Sequence, residues 1–241
     1  MPNNSRLSII KTVPLCKKAE KRNYGYSGGK TMTPKQENYR HLGQTMIRKF
    51  AARNMEAFYT DTKEEALKKV LELIPEGSSV AYGGSMTLKE TGIFDAVKNG
   101  NYDFIERETA KTPEEKRQMM ARQMMADYFL MSTNAFTADG ELVNIDGNGN
   151  RVCFLIQGPA HVIIVAGMNK FTVSIEDAFR RIHNVASPAN CVRLGCKTPC
   201  AVTGVCGDCH PNTICCQEVI TRHSRHDGRI KIVLVGEDLG Y

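Results

Sequence analysis

The chain has 241 residues, enough for one large domain with at most a small appendage, and its apolar content of 41% is typical of a globular protein. No apolar run approaches the roughly 20 residues that a membrane-spanning helix requires, and the N-terminus has no apolar core of a signal peptide. The net charge of +6 comes entirely from residues 1–31, which contain seven basic residues and one acidic residue. The rest of the chain has no excess positive charge, which argues against a nucleic-acid partner.

Residues 1–31 show neither helical nor strand periodicity, and their composition predicts a disordered basic extension. A transit peptide is an alternative, because the stretch is basic and poor in acidic residues. A third hypothesis is that translation starts at Met32, since the codons of Gly28 and Gly29 could form a bacterial ribosome-binding sequence. N-terminal sequencing of the endogenous protein tests this hypothesis, and a mature chain that begins at Met1 would contradict it.

From Thr33 onward, segments with helical periodicity alternate with short apolar segments that are typical of buried strands. Helices are predicted at 33–51, 63–74, 88–92, 112–127 and 174–185. Another short helix is predicted to follow the one at 88–92 and to end at residue 99. Strands are predicted at 56–60, 79–82, 102–107, 128–132, 152–156, 162–166 and 230–235, with a hairpin at 136–145. The alternation predicts an α/β domain over residues 32–241, with a mainly parallel sheet covered by helices and an antiparallel excursion at the hairpin.

Seven of the nine cysteines lie between Cys191 and Cys216. The spacing Cys206-Gly-Asp-Cys209 lets two thiolates grip one metal ion or cluster. Disulfides are disfavoured, because a chain without a signal peptide is expected in the reducing cytoplasm. An iron–sulfur cluster and a zinc ion both remain open; ligand type and compartment favour iron.

Two further stretches are candidates for ligand binding. Gly83 to Thr87 follows an apolar strand and precedes a helix, where free backbone N–H groups favour an anion, although a plain tight turn explains the glycines equally well. Residues 134–151 place amides, carboxylates and an arginine between two buried strands, which suits a small polar ligand. Turns also use these residue types, so the second stretch has a structural explanation too.

Several ordered motifs resemble the lactate-utilisation (LUD) domain family. They are Gly83-Gly84-Ser85-Met86-Thr87, residues 133–144, Gly147-Asn148-Gly149-Asn150-Arg151 and residues 165–170, and the resemblance covers residues 33–241. It implies a three-layer fold like that of the sugar-phosphate isomerases and CoA transferases, with the glycine stretch as an anion-binding loop. It also implies a link to the oxidation of lactate to pyruvate, in the company of iron–sulfur electron-transfer proteins.

The C-terminal part resembles the cysteine-bearing branch of the same family. By position, that resemblance implies Cys200, Cys206, Cys209 and Cys215 as metal ligands, whereas Cys191, Cys196 and Cys216 are extra to the pattern. The chain lacks the long N-terminal extension and tandem ferredoxin-type motifs of larger lactate-utilisation subunits. We therefore expect an accessory protein rather than a complete lactate-oxidising system.

The expected function is an accessory redox protein that binds a small anionic metabolite and carries an iron–sulfur cluster. The predicted ligand-binding residues are Gly83, Gly84, Ser85, Thr87, Asn134, Asp139, Asn144, Asn169 and Lys170. One alternative is an isomerase-like or acyl-transferase-like enzyme with Glu90 or Glu141 as nucleophile and a structural zinc. Another is a regulatory ligand-binding module.

Overall fold

Six parallel strands form the main sheet in the computed structural model, which describes residues 32–241. The order across the sheet is β1-β10-β7-β4-β2-β3. The ten strands of the described chain are β1 (Glu56–Thr60), β2 (Ser79–Tyr82), β3 (Asp103–Phe104), β4 (Tyr128–Met131), β5 (Ala135–Thr137), β6 (Leu142–Asp146), β7 (His161–Gly167), β8 (Phe171–Thr172), β9 (Gln217–Thr221) and β10 (Ile230–Val235). A second sheet has the order β8-β5-β6-β9, and its β5–β6 pair is the antiparallel hairpin.

The α-helices of the same region are α1 (Pro34–Ala51), α2 (Lys63–Leu73), α3 (Met86–Glu90), α4 (Ile93–Lys98), α5 (Pro113–Met124), α6 (Val152–Ile156), α7 (Ile175–Arg181), α8 (Ser187–Arg193) and α9 (Pro199–Thr203). Helix α1 begins as predicted, because the Thr33 side chain accepts from Gln36 and the Gln36 side chain accepts from the Thr33 backbone. None of the helices in residues 32–241 is both long and apolar enough to cross a membrane.

Helices cover both faces of the main sheet because its central strands are apolar on both sides. In β7, Ile164 points into the core beneath Met46 of α1, and the adjacent Val165 points into the opposite core with Val70 of α2. Alternate residues of a strand point to opposite faces, so one continuous apolar run supplies both cores. The predicted three-layer α/β fold with a mainly parallel sheet is confirmed.

The predicted strand at residues 152–156 is wrong, because Val152–Ile156 forms helix α6. A five-residue apolar run fits a buried strand and a buried helix equally well. The Asp146 carboxylate stabilises the helix, because it accepts hydrogen bonds from the backbone N–H groups of Arg151 and Val152 at 2.9 and 3.0 Å. Phe154 then packs on Phe129 of the main sheet, with ring centroids 4.8 Å apart.

One predicted strand is shorter than expected, one strand of the structure is not predicted by the sequence, and two predictions concern residues that the structure does not describe. The strand predicted at residues 102–107 is only Asp103–Phe104, and β9, an edge strand with mostly exposed side chains, has no apolar alternation that predicts it. Residues 32–241 form one compact unit. The predictions of a basic extension at residues 1–31, and of a start at Met32 instead of Met1, concern residues outside those described.

Candidate anion-binding cleft and cysteine segment

A cleft of about 340 Å³ opens where several parallel strands of the main sheet end. Its first wall consists of residues within five positions after the ends of strands β2, β3, β4 and β7, because the carboxyl ends of parallel strands share one edge of a sheet. The residues of this wall that the argument uses are Gly84, Thr87, Arg107, Ser132 and Lys170. The second wall comes from the end of the β6 hairpin, helix α8, the cysteine segment (residues 191–216) and residues 240–241.

Lys170 is the most unusual side chain of the cleft, because it is only 3% exposed and its ammonium group makes no ion pair with any described residue. Its Nζ donates to Thr87 Oγ1 and to Ser132 Oγ, both at 2.9 Å. Burial above all, and then the neighbouring cations Arg181 and Arg151, lower the pKa of Lys170 to about 7, against an opposing effect of Glu90.

Arg151 is the structural centre of the cleft. Its guanidinium group forms a buried ion pair with Asp146 at 2.6 Å and donates to the side-chain oxygens of Asn134 and Asn144, also at 2.6 Å each. It donates further to the Ser132 carbonyl at 2.8 Å. These contacts occupy the guanidinium donors, so Arg151 holds the hairpin against β4 rather than offering donors to a ligand.

Arg107 and Arg193 are the two arginines of the cleft with guanidinium N–H groups that have no acceptor in the described chain. Arg107 donates from Nε to Glu108 at 3.1 Å, and its Nη1 and Nη2 find no acceptor among residues 32–241. Arg193 donates from Nε and Nη2 to the Asn190 side-chain oxygen at 3.2 and 2.7 Å, which leaves Nη1. Asp146 is the one acidic residue that lines the described cleft, and Arg151 neutralises it. The cleft therefore has a strong positive excess.

The glycine stretch reaches the cleft, but its groups are partly committed to the fold. Gly84, Ser85 and Thr87 line the cleft, whereas the Gly83 N–H donates to the Leu130 carbonyl at 2.8 Å. The Ser85 hydroxyl caps α3, and Thr87 accepts from Lys170. A Cβ on Gly83 would lie 3.1 Å from Cγ of Arg151, so this glycine permits the close approach of that side chain.

The other predicted ligand-binding residues separate into three places. Asn134 and Lys170 line the cleft. Asn144 is fully buried beneath it and accepts from Arg151, and Asn169 lies behind it, where its side-chain oxygen accepts from Leu239 N at 3.1 Å. Asp139 lies apart, in the exposed hairpin turn, where it pairs with Lys49 at 3.1 Å.

The two glutamates considered as nucleophiles have other contacts. Glu141 pairs with Arg53 at 2.8 Å and accepts from the Thr137 hydroxyl. Glu90 accepts from the Gly240 backbone N–H at 2.7 Å. Neither carboxylate lines the cleft, so the contacts give no support to a carboxylate nucleophile there.

Sequence reasoning did not single out Arg107, Ser132, Arg193 and Tyr241 as lining residues. A usable signal existed for the first two, because Ser132 directly follows β4 and Arg107 lies three residues after β3, and positions just after parallel strands meet at the ligand-binding edge of the sheet. The other two reach the cleft only through the path of the chain beyond the strands, which no local pattern predicts.

The cysteine segment, residues 191–216, forms part of the second wall, and Cys215 and Cys216 line the cleft directly. All eight described cysteines are free thiols. Within the segment, Cys191 and Cys200 are buried, with 1% and 8% of their surface exposed. Cys206 is exposed, with its sulfur 3.6 Å from Nδ1 of His183.

The four thiols at the family positions are neighbours, as their electrostatics show. Burial raises the pKa of Cys215 most, and the thiols of Cys209, Cys206 and Cys200 raise it further. The pKa of Cys206 is likewise raised by burial, and then by the thiols of Cys200 and Cys209. In residues 32–241, no three His, Cys, Asp or Glu side chains are gathered tightly enough to hold an ion. The donor set thus has the chemistry of a thiolate metal site, in an arrangement more open than a bound metal requires.

A family model described as the LUD domain matches residues 43–235. A crystal structure of a DUF162 family protein from Deinococcus radiodurans is similar at 11% sequence identity with a TM-score of 0.47, over 83% of this chain and 98% of that one. The search of curated proteins returned no match.

Proposed function

This chain belongs to the LUD-domain family and is thereby related to lactate utilisation, and from the chemistry of its cleft we propose that it is an accessory redox protein. In this proposal the cleft binds a small anionic metabolite, and the cysteine segment carries an iron–sulfur cluster on Cys200, Cys206, Cys209 and Cys215. The protein works in the reducing cytoplasm, where iron–sulfur electron-transfer proteins are its partners.

The observation that carries the ligand half of the proposal is the buried Lys170. Burial without a counter-ion lowers the pKa of Lys170 to about 7, and a bound anion would raise this pKa again because it neutralises the ammonium form. Lys170 has only neutral hydroxyl partners in the described chain, and Arg107 and Arg193 point unused donors into the same cleft. A small carboxylate or phosphate supplies the missing negative charge and accepts those donors.

The metal half of the proposal is supported by the donor set. Soft thiolates bind iron and zinc, and metal binding releases the protons of the ligating thiols. When bound, an iron–sulfur cluster supplies one-electron transfer. Because Cys215 also lines the anion cleft, the two halves share a wall, which favours a redox role for the bound metabolite over two unrelated sites.

Anaerobic reconstitution with iron and sulfide tests the metal half. The expected result is a brown protein with a visible sulfur-to-iron absorbance band and stoichiometric iron. Cys206→Ser should lose the band, and Cys216→Ser is a matched control, since both thiols are exposed but only Cys206 belongs to the family pattern. A colourless protein with stoichiometric zinc would remove the electron-transfer role and favour a ligand-binding module with a structural zinc.

Calorimetric titration with lactate, pyruvate and inorganic phosphate tests the ligand half. Lys170→Met should weaken binding by more than about tenfold, because the cleft loses its buried charge. Lys89→Met is the control, since Lys89 lies on the nearby α3 but is exposed and does not line the cleft. Equal affinity in the two variants, or no binding of any of the three anions to the unmodified protein, would overturn this half.

A further inference from the structure

The hydrogen bonds around the Lys170 amine fit its neutral form better than its charged form. Thr87 Oγ1 and Ser132 Oγ each lie 2.9 Å from Nζ. Both hydroxyls have a carbonyl of their own to donate to, at 3.4 Å: Leu239 for Thr87 and Thr133 for Ser132. Both oxygens are therefore free to accept from the amine.

Two acceptors match the donors of a neutral amine and leave its lone pair unused. A neutral amine has two N–H groups and one lone pair, whereas an ammonium has three N–H groups and no lone pair. In the described chain the third N–H of an ammonium has no acceptor, and no carboxylate pairs with it. The low pKa of Lys170, about 7, agrees with this count. A buried lysine in this state is a nucleophile at neutral pH.

We propose that Lys170 is a catalytic residue that forms an imine with the carbonyl group of a small anionic ligand in the cleft. This inference rests on the proposed anion site and names its ligand class: a carbonyl compound that carries one carboxylate or phosphate, with a 2-oxo acid as the first choice. Arg107 and Arg193 hold the anionic group at the rim, and the amine lies on the floor of the same cleft.

The chemistry needs no co-reactant. The Nζ lone pair attacks the carbonyl carbon, and the C=O pair of electrons moves to oxygen, which takes up a proton from the nitrogen through solvent. The carbinolamine then loses its hydroxyl group together with the remaining proton of the nitrogen as water, and a C=N bond joins the lysine to the ligand. Gly240 keeps space for this adduct, because a Cβ there would lie 3.4 Å from Nζ and 2.7 Å from Thr87 Oγ1.

Reductive trapping tests the proposal on the full chain. The protein is incubated with cyanoborohydride and either pyruvate or dihydroxyacetone phosphate, and then analysed by intact mass and peptide mapping. We expect one adduct per chain, equal in mass to the ligand minus water plus two hydrogens, on Lys170. Pyruvate and dihydroxyacetone phosphate separate a carboxylate-bearing from a phosphate-bearing ligand. Lactate, which has a hydroxyl in place of the ketone, should protect Lys170 without forming an adduct if the ligand is the oxo acid.

Two variants complete the test. Lys170→Arg keeps a cation but removes the nucleophile, because a guanidinium does not form an imine, so trapping should fall to the level of the surface lysines. Lys89→Arg should trap as the unmodified protein does. Adducts spread over surface lysines, or none at all, overturn the imine. If pyruvate and lactate bind by calorimetry but nothing is trapped, the imine fails and the anion site stands; if neither binds nor traps, both fail.

Discussion

The main parallel sheet and the cysteine segment, residues 191–216, are held in place by different forces. Strands β7 and β10 are buried along nearly their whole length between two layers of helices. The cysteine segment instead exposes 82% of Val202 and 63% of Val205, and its helix α9 has only five residues. The sheet stabilises itself by burying apolar surface, whereas the segment has little apolar burial of its own and depends on contacts with other groups.

The largest expected effect in a test of this comparison comes from a substitution that creates a cavity in the core of the main sheet. Phe129→Ala should lower the free energy of unfolding by about 4 kcal/mol, since it removes a fully buried ring from the contact with Phe154. Val202→Ala in the cysteine segment should change it by less than about 0.5 kcal/mol. Denaturant unfolding measures both. Similar losses in the two variants would show that the segment has a core of its own.

A slightly smaller effect is expected from breaking the buried ion pair that joins the cleft to the sheet. Asp146→Ala should destabilise the protein by about 3 kcal/mol, because it leaves Arg151 buried without its counter-ion and removes the cap of α6. Asp139→Ala is the control, since its pair with Lys49 is exposed and should be worth less than about 1 kcal/mol. Equal effects on the unfolding free energy would contradict the central role of Arg151.

The sheet and the cleft also differ in how far sequence predicts them. The strands at 162–166 and 230–235 were predictable, because uninterrupted apolar runs are typical of strands buried on both faces. Thr87, Asn134 and Lys170 were identified from motif resemblance, and they do lie together in the cleft. Sequence patterns do not predict the conformation of residues 152–156, because it depends on a hydrogen bond from the Val152 N–H to the Asp146 side chain. They also do not predict that Arg193 and Tyr241 line the cleft, because both come from distant parts of the chain. Such tertiary contacts leave no local periodicity.

The protonation of Lys170 gives a smaller effect with a definite sign. Its pKa of about 7 means that the ligand-free amine is charged below that pH and neutral above it. A bound anion favours the charged form, so affinity should be constant below about pH 7 and fall by up to tenfold per pH unit above it. Imine trapping needs the neutral amine, so its rate should rise over the same range.

Calorimetry and trapping across this pH range therefore give opposite slopes if both assignments hold. Lys170→Arg should flatten the affinity profile, because a guanidinium stays charged throughout. Parallel slopes in the unmodified protein would show that another group controls binding. The charged neighbours that face Lys170, namely Arg151, Arg181 and Glu90, set the position of the transition.

The smallest expected effect sharpens the comparison most, because it depends on whether the metal is present. Cys206 is exposed, and its sulfur has one hydrogen-bond partner in the described chain, Nδ1 of His183 at 3.6 Å. In metal-free protein, Cys206→Ser should therefore change the free energy of unfolding by less than about 0.5 kcal/mol. After anaerobic reconstitution the same substitution should remove the added stability that the metal gives to the unmodified protein, because binding free energy at such a site is also folding free energy. Thermal unfolding of both proteins with and without metal makes the measurement, and Cys216→Ser should keep the stabilisation. A cysteine segment that gains no stability from iron or zinc would leave the sheet as the main source of stability and would remove the physical reason for gathering seven thiols in 26 residues of the chain.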